Sequence, residues 1–417
     1  MTKKILLIIG ILVVVGVALF LIFTSKPQTE GESRVGFSIR EFLPFGSSDN
    51  TDISINNKDT DTKEDTSIID TTTSVNSNQP VPKLRKISSE PVAGAVVFNI
   101  GTTSVVRFVE KGTGNVYEVK SDSLAVQRLT NTTIPKIIRA YWLPDASGFL
   151  AQTLIPDSEI IETNFVKLNK NESVGENMTL FNTTISKLPT GIKEISISPN
   201  GSKIFYYTAN WSSNWFISNP DGTGSGLVMS HPLTEWLPQW TTVNEIIMQN
   251  KGSSENTSYN YIFNISNKTL TKIGLGFKGL SAISNSNNSL TLVSSGQSIP
   301  HLFLIDNKDA SSKKINANTL AEKCVWTKKE SQTVYCAIPI KIPKGKYLDL
   351  WYKGIVFTED IIEKIDLNND IYYTTSNLSR ESGEQIDITD IDISPDETHL
   401  IFRNKIDGYL WMIKIGE

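Results

Sequence analysis

The chain has 417 residues, 39% of them hydrophobic, which is enough for two or three ordinary domains or for one large all-β domain with appendages. Its formal net charge of -4 and the lack of a basic stripe argue against a nucleic-acid partner, since phosphate binding needs a positive face.

An uninterrupted apolar run follows MTKK, from Ile5 to Phe23. Its 19 residues amount to about 28 Å as a helix, close to the hydrocarbon thickness of a bilayer. A secretory signal would have a shorter apolar part and a small-residue cleavage site, whereas this run leads into TSKPQTE. Residues 1–23 are therefore expected to be an uncleaved transmembrane anchor. Lys3 and Lys4 favour a cytoplasmic N-terminus, against which Lys26 and Arg34 weigh, so the remainder is expected outside the cytoplasm.

Residues 24–82 show no sustained period. Between 47 and 80 they are mostly Ser, Thr, Asn and Asp, a composition that buries too little apolar surface to offset its ordering entropy and reads as a disordered linker. One island, GFSIREFLPFG at 36–46, carries Phe37, Ile39, Phe42, Leu43 and Phe45. It reads either as a stretch resting on lipid headgroups or as a short docking motif.

After Pro82 the sequence becomes short runs of Ile, Val, Tyr, Phe and Trp divided by Gly, Pro, Asn, Asp and Ser, the pattern of an all-β domain. ISISPNGSKIFYY from Ile195 and IDISPDETHLIF near the C-terminus are close copies: strand, Ser-Pro-Asn/Asp turn, strand. Weaker copies start near Arg139, Trp236, Leu280 and Glu322, and an earlier two-strand unit starts at Ala93. A large apolar residue precedes each turn, at Trp142, Ile197, Trp240, Ile283, Trp326 and Ile393, with steps of 55, 43, 43, 43 and 67 residues. A period of about 40 to 45 residues is that of a four-stranded propeller blade. The long steps come from NKNESVGENMTLFNT, placed between third and fourth strands, and IKIPKGKYLDLWYKGIV, placed between second and third.

Seven units result, the last lacking a fourth strand. The segment Lys83 to Ser88 has no partner of its own and is expected to pair beside YLWMIKI, closing the ring and protecting the last edge. The expected fold is thus an all-β propeller over 83–417, of about seven four-stranded blades closed by an N-terminal strand.

Ser198, Pro199, Asn200 and Gly201, the Asn219-Pro220-Asp221-Gly222 turn, and Ser394, Pro395 and Asp396 resemble the TolB-type propeller repeats. The whole arrangement is also similar to membrane-anchored propellers of small-genome bacteria. These motifs are turn chemistry, so the resemblance implies the fold and says little about activity. It further implies that first-strand entries and second-to-third-strand loops share one face, with the Ser-Pro-Asp turns on the other.

Enzyme signatures are sparse. The three histidines, His231, His301 and His399, form no metal-like pair, and there is neither a GxSxG elbow nor a GxxxxGK[ST] loop. Gly274, Gly276 and Gly279 spell GxGxxG, but strand-like LSAIS follows where a dinucleotide site needs a helix. Asp366, Asn368 and Asp370 have the spacing of a calcium loop, yet Ile371 stands where Gly is required. No cofactor or metal is expected. Cys324 and Cys336 would face each other across a hairpin centred on residue 330, within reach of a disulfide; two packed thiols are the alternative.

On the face with the second-to-third-strand loops, the insertion from Ile340 to Val356 carries Tyr347, Leu348, Leu350, Trp351 and Tyr352, and a neighbouring loop carries Trp211. Exposed aromatics there suit a partner surface or a sugar, which makes Tyr347, Leu350, Trp351, Tyr352 and Trp211 the candidate contact residues. The competing view is that Trp351 and Tyr352 fold back and cap their own blade. The functional expectation is a membrane-anchored, extracytoplasmic binding or scaffold module with an envelope protein or glycan as partner. The alternative is an envelope hydrolase or lyase, which requires acids converging on first-strand entries, where the sequence offers mainly Lys136, Lys193 and Glu322, with Asp390 and Asp392 in the last unit.

Overall fold

A computed structural model describes residues 80–171, 181–330 and 332–416. The apolar run Ile5–Phe23, the docking island and all but the end of the linker lie outside the described residues. Among those described, no helix is long and apolar enough to cross a membrane.

The strands form seven four-stranded antiparallel sheets, each with its strands in sequence order apart from the last. Blade 1 runs from β2 (Val92–Ile100) to β5 (Val126–Arg128) and blade 2 from β6 (Ile137–Trp142) to β9 (Phe181–Lys187). Blade 3 spans β10 (Ile192–Ile197) to β13 (Gly226–His231), and blade 4 spans β14 (Trp236–Trp240) to β17 (Thr269–Lys278). Blade 5 spans β18 (Ser281–Ser284) to β21 (Ser312–Lys314), and blade 6 spans β22 (Cys324–Trp326) to β25 (Ile371–Asn377). Blade 7 joins β26 (Ile388–Ile393), β27 (His399–Asn404) and β28 (Leu410–Lys414) to β1 (Leu84–Lys86). The molecule is a seven-bladed β-propeller.

The N-terminal strand closes the ring as its sequence implies. Leu84 pairs with Ile413, Arg85 with Met412 and Lys86 with Trp411, and the Lys414 N–H donates to the Lys83 carbonyl at 2.8 Å. The long insertions sit between the third and fourth strands of blade 2 and between the second and third of blade 6.

Two of the tryptophans before the turns act between blades. Trp142 donates its indole N–H to the Gly94 carbonyl of blade 1 at 3.1 Å, and Trp326 donates to the Ile283 carbonyl of blade 5 at 3.3 Å. Gly94 is required there, because a Cβ would lie 2.1 Å from the Ala140 carbonyl oxygen. The turns are built locally: Ser198 Oγ accepts from the Lys203 N–H at 2.9 Å, and Ser394 Oγ accepts from the His399 N–H at 3.0 Å. Antiparallel order then puts these turns on one face and the second-to-third-strand loops on the other.

Candidate functional site: the loop face

The insertion of blade 6 contains one short helix, α1 (Tyr347–Tyr352), bracketed by Gly345 at φ 107° and Gly354 at φ 66°. Tyr347, Leu348 and Trp351 turn inward onto Leu320, while Leu350 and Tyr352 are half-buried. Tyr347 and Trp351 are 1% and 2% exposed, so they are not surface contacts. The apolar residues that the insertion exposes are instead Ile340 and Ile355, with Phe357 just after it. Of the candidate contacts, Trp211 is the outlier, 98% exposed on the loop of blade 3.

A buried ionic network explains why the helix folds back. Lys323, with no exposed surface, places its ammonium 2.7 Å from Asp360 Oδ2, 2.6 Å from Asp387 Oδ1 and 2.7 Å from Thr358 Oγ1. Asp387 also accepts the Trp351 indole N–H at 2.9 Å, and Asp360 accepts the Ile388 N–H at 2.8 Å. Burial by itself would lower the Lys323 pKa, but the two carboxylates outweigh it and hold the ammonium charged. The indole of Trp351 therefore serves its own blade and its neighbour.

Anchored in this way, the helix reaches over to blade 4. Asp349 accepts the Ser254 N–H at 3.2 Å, and Lys346 forms an ion pair with Glu255. Tyr352 donates its hydroxyl to Glu322 Oε1 at 2.8 Å, with Lys251 lying 5.9 Å from its ring centroid. Between this strap and blade 4 lies a cleft of about 640 Å³, lined by Glu235, Lys251, Asn256, Asp349, Tyr352 and Lys353 among others. A second cavity of about 360 Å³ between blades 3 and 4 shares Thr234, Glu235 and Lys251 with it and continues to Glu194, Tyr207 and Asn210.

Charged and phenolic groups from blades 2, 3, 6 and 7 interact alongside the strap. Arg139 pairs with Glu194 at 3.1 Å, Tyr141 bonds the same carboxylate at 2.9 Å, and Arg403 pairs with Asp390. Lys405 stands 4.2 Å from the Trp351 ring centroid. Asp390 adopts a left-handed φ of 50° in a bulge of β26, an uncommon conformation for a side-chain-bearing residue. Burial pushes up the Glu322 carboxyl and, far more, the Tyr352 hydroxyl, which Glu322 raises further. Burial likewise raises Tyr141, with Glu194 adding to the effect and Arg139 opposing it.

The sequence reading places Glu322, Asp390 and Asp392 among the acids of the first-strand entries but misses Glu194 and its partner Arg139. Adjacent to Lys193, Glu194 looks like an ordinary solvated strand residue, and its partner comes from another blade. Among the described residues, no group of three His, Cys, Asp or Glu side chains is arranged to hold a metal. Cys324 and Cys336 are cross-strand partners in β22 and β23 (Thr333–Pro339) and are joined by a disulfide.

No protein-family model matches the chain, and no curated relative matches it. Solved structures do. An oligogalacturonate lyase in complex with manganese superposes with a TM-score of 0.54 at 8% identity, over 80% of this chain and 93% of that one. An oligogalacturonate lyase from Vibrio parahaemolyticus gives 0.52 at 9% identity, over 80% and 94%. TolB from Acinetobacter baumannii is also among the similar structures, at 0.41 and 12% identity, over 68% and 63%. The likeness is one of fold. At these identities, function has to be argued from the site itself.

Proposed function

We propose that this chain is a binding module: a propeller anchored by residues 5–23, displayed outside the cytoplasm, that receives an envelope protein or glycan on its loop face. The observation that carries this reading is the cleft of about 640 Å³ between the strap and blade 4, continuous with the cavity beside blade 3 and flanked by the exposed Trp211. Such a concave surface combines an aromatic platform with amide, carboxylate and ammonium groups, which suits recognition of a polar partner. The disulfide supports the extracytoplasmic placement, because disulfides persist in oxidising compartments.

A second reading, a hydrolase or lyase, draws on Glu194, Glu322 and Asp390. Binding is favoured because each of these carboxylates is already engaged: Glu194 by Arg139 and Tyr141, Glu322 by Tyr352, and Asp390 by Arg403. The test is cross-linking capture from membranes with the wild-type chain, with Trp211→Ala and with Lys251→Glu. The reading expects one partner set, reduced in both variants. Capture that is unchanged in both variants, with the fold intact, overturns it.

A further inference from the structure

The turn face carries a cavity at the seam where the ring closes, between blade 7 and the turn joining the third and fourth strands of blade 1. In blade 7, Arg85 pairs with Met412, and His399 pairs with Lys414. Cross-strand partners share a face of a sheet, as do residues two apart on one strand, so Arg85, Met412, Lys414 and His399 all face the same way. Together with Ser121 and Asp122 of blade 1 they border an opening of about 270 Å³.

The chemistry of this lining is lopsided. Arg85 is only 9% exposed, and its guanidinium donates to the carbonyls of Ser123 at 2.5 Å, Lys120 at 2.8 Å and Ser121 at 3.3 Å, with Met412 Sδ at 3.8 Å. All these acceptors are neutral, and among the described residues no carboxylate contacts the guanidinium. His399 and Lys414 stand directly opposite each other, so an imidazole and an ammonium share this rim. Lys83 also borders the opening, but its ammonium is turned to the Thr375 carbonyl at 3.0 Å. Asp122 is the one acid in the lining, and it acts on Arg85 from beyond contact distance, against the effect of burial. Asp396 lies behind it, with its carboxylate already taken by Ser104, Ser394 and the Thr398 N–H. His399 uses Nδ1 toward Thr398 Oγ1 at 2.7 Å, which leaves Nε2 for a ligand. Burial lowers the His399 pKa; Asp396 opposes this, while Lys414 and Arg85 add to it.

We infer that this seam is an anion site fitted to a phosphate group, with Arg85 at its base and Lys414 and His399 at its rim. A phosphate group would offset the charges of Arg85 and Lys414 and favour the protonated form of His399. The opening has room for a substituent on the phosphate, so the group can be free phosphate or the headgroup of a lipid. The chain enters the propeller beside this opening, through Val81 and Pro82, which also border it.

The test uses the full chain in a neutral detergent and follows imidazole proton resonances, of which the three histidines give a small and assignable set. Inorganic phosphate, titrated against chloride at matched ionic strength, is expected to shift His399 saturably and to raise its pKa by about half a unit, leaving His231 and His301 in place. Lys414→Gln is expected to weaken the midpoint about fivefold while leaving the melting temperature little changed, because Lys414 is exposed at the end of its strand. Vesicles containing phosphatidylglycerol, added without free phosphate, separate the sources: the same His399 shift assigns a lipid headgroup, and a response to free phosphate alone assigns a soluble ligand. No saturable shift with either probe overturns the site, as does equal movement of all three histidines or an unchanged midpoint in Lys414→Gln.

Discussion

Lys323 and Asp387 meet at 2.6 Å with neither side chain exposed, and the same carboxylate accepts the indole N–H of Trp351, 36 positions away in sequence. This contact turns an insertion that reads as an exposed aromatic loop into a fixed strap over the loop face. Removing one member of a buried ion pair leaves the others charged in a poorly solvated place. Lys323→Met is therefore expected to cost about 3–5 kcal/mol, measured by denaturant unfolding, with Lys323→Met/Asp360→Leu recovering part of the loss. Loss below about 1 kcal/mol in the single variant would contradict the role given to this network.

The Cys324–Cys336 bridge closes a short loop, with a sequence separation of 12, directly after Lys323. Chain-entropy reasoning gives about 3 kcal/mol for a loop of this size. Reductant is expected to lower the melting temperature, and Cys324→Ser/Cys336→Ser to match the reduced wild type. A thiol count of two on unreduced, denatured protein would exclude the bridge.

Asp396 ties blade 7 to blade 1, accepting from Ser104 Oγ at 3.1 Å as well as from its own turn. Burial alone would raise its carboxyl, but the bonds from Ser394, Thr398 and Ser104 bring it down to about 2. A depressed carboxylate pKa contributes stability that is complete above the unfolded value near 4 and is lost as the pH falls toward the folded value. Because the group is partly solvated, the contribution is about 1 kcal/mol after screening. Wild type is thus expected to lose more stability than Asp396→Asn between about pH 4 and 2, and parallel pH curves would contradict this.

Trp211 packs against little of its own fold, being 98% exposed. Trp211→Ala is expected to change unfolding free energy by less than about 0.5 kcal/mol while reducing partner capture severalfold. A large stability loss would assign the indole a structural role instead.

Much of the propeller is legible in the sequence because its signals are local. Ser198 and Ser394 announce their turns, Trp142 and Trp326 mark the strand ends that lean on the preceding blade, and the unpartnered Lys83 to Ser88 segment answers the missing strand of blade 7. The loop face is legible only in part. Sequence places the insertion on the correct face but does not separate an aromatic residue facing solvent from one facing Asp387, since the deciding partner lies on the next blade. The pairing of Arg139 with Glu194 is hidden for the same reason: each is an ordinary polar strand residue until blades 2 and 3 pack side by side.

The most direct test of the loop face as the recognition surface is site-specific photo-cross-linking on membranes, with the reactive group at Lys353 beside the cleft or at Ser202 on the turn face. The account predicts discrete adducts from position 353, diminished by Trp211→Ala, and few or none from position 202. Adducts confined to position 202, or equal at both positions, would contradict it.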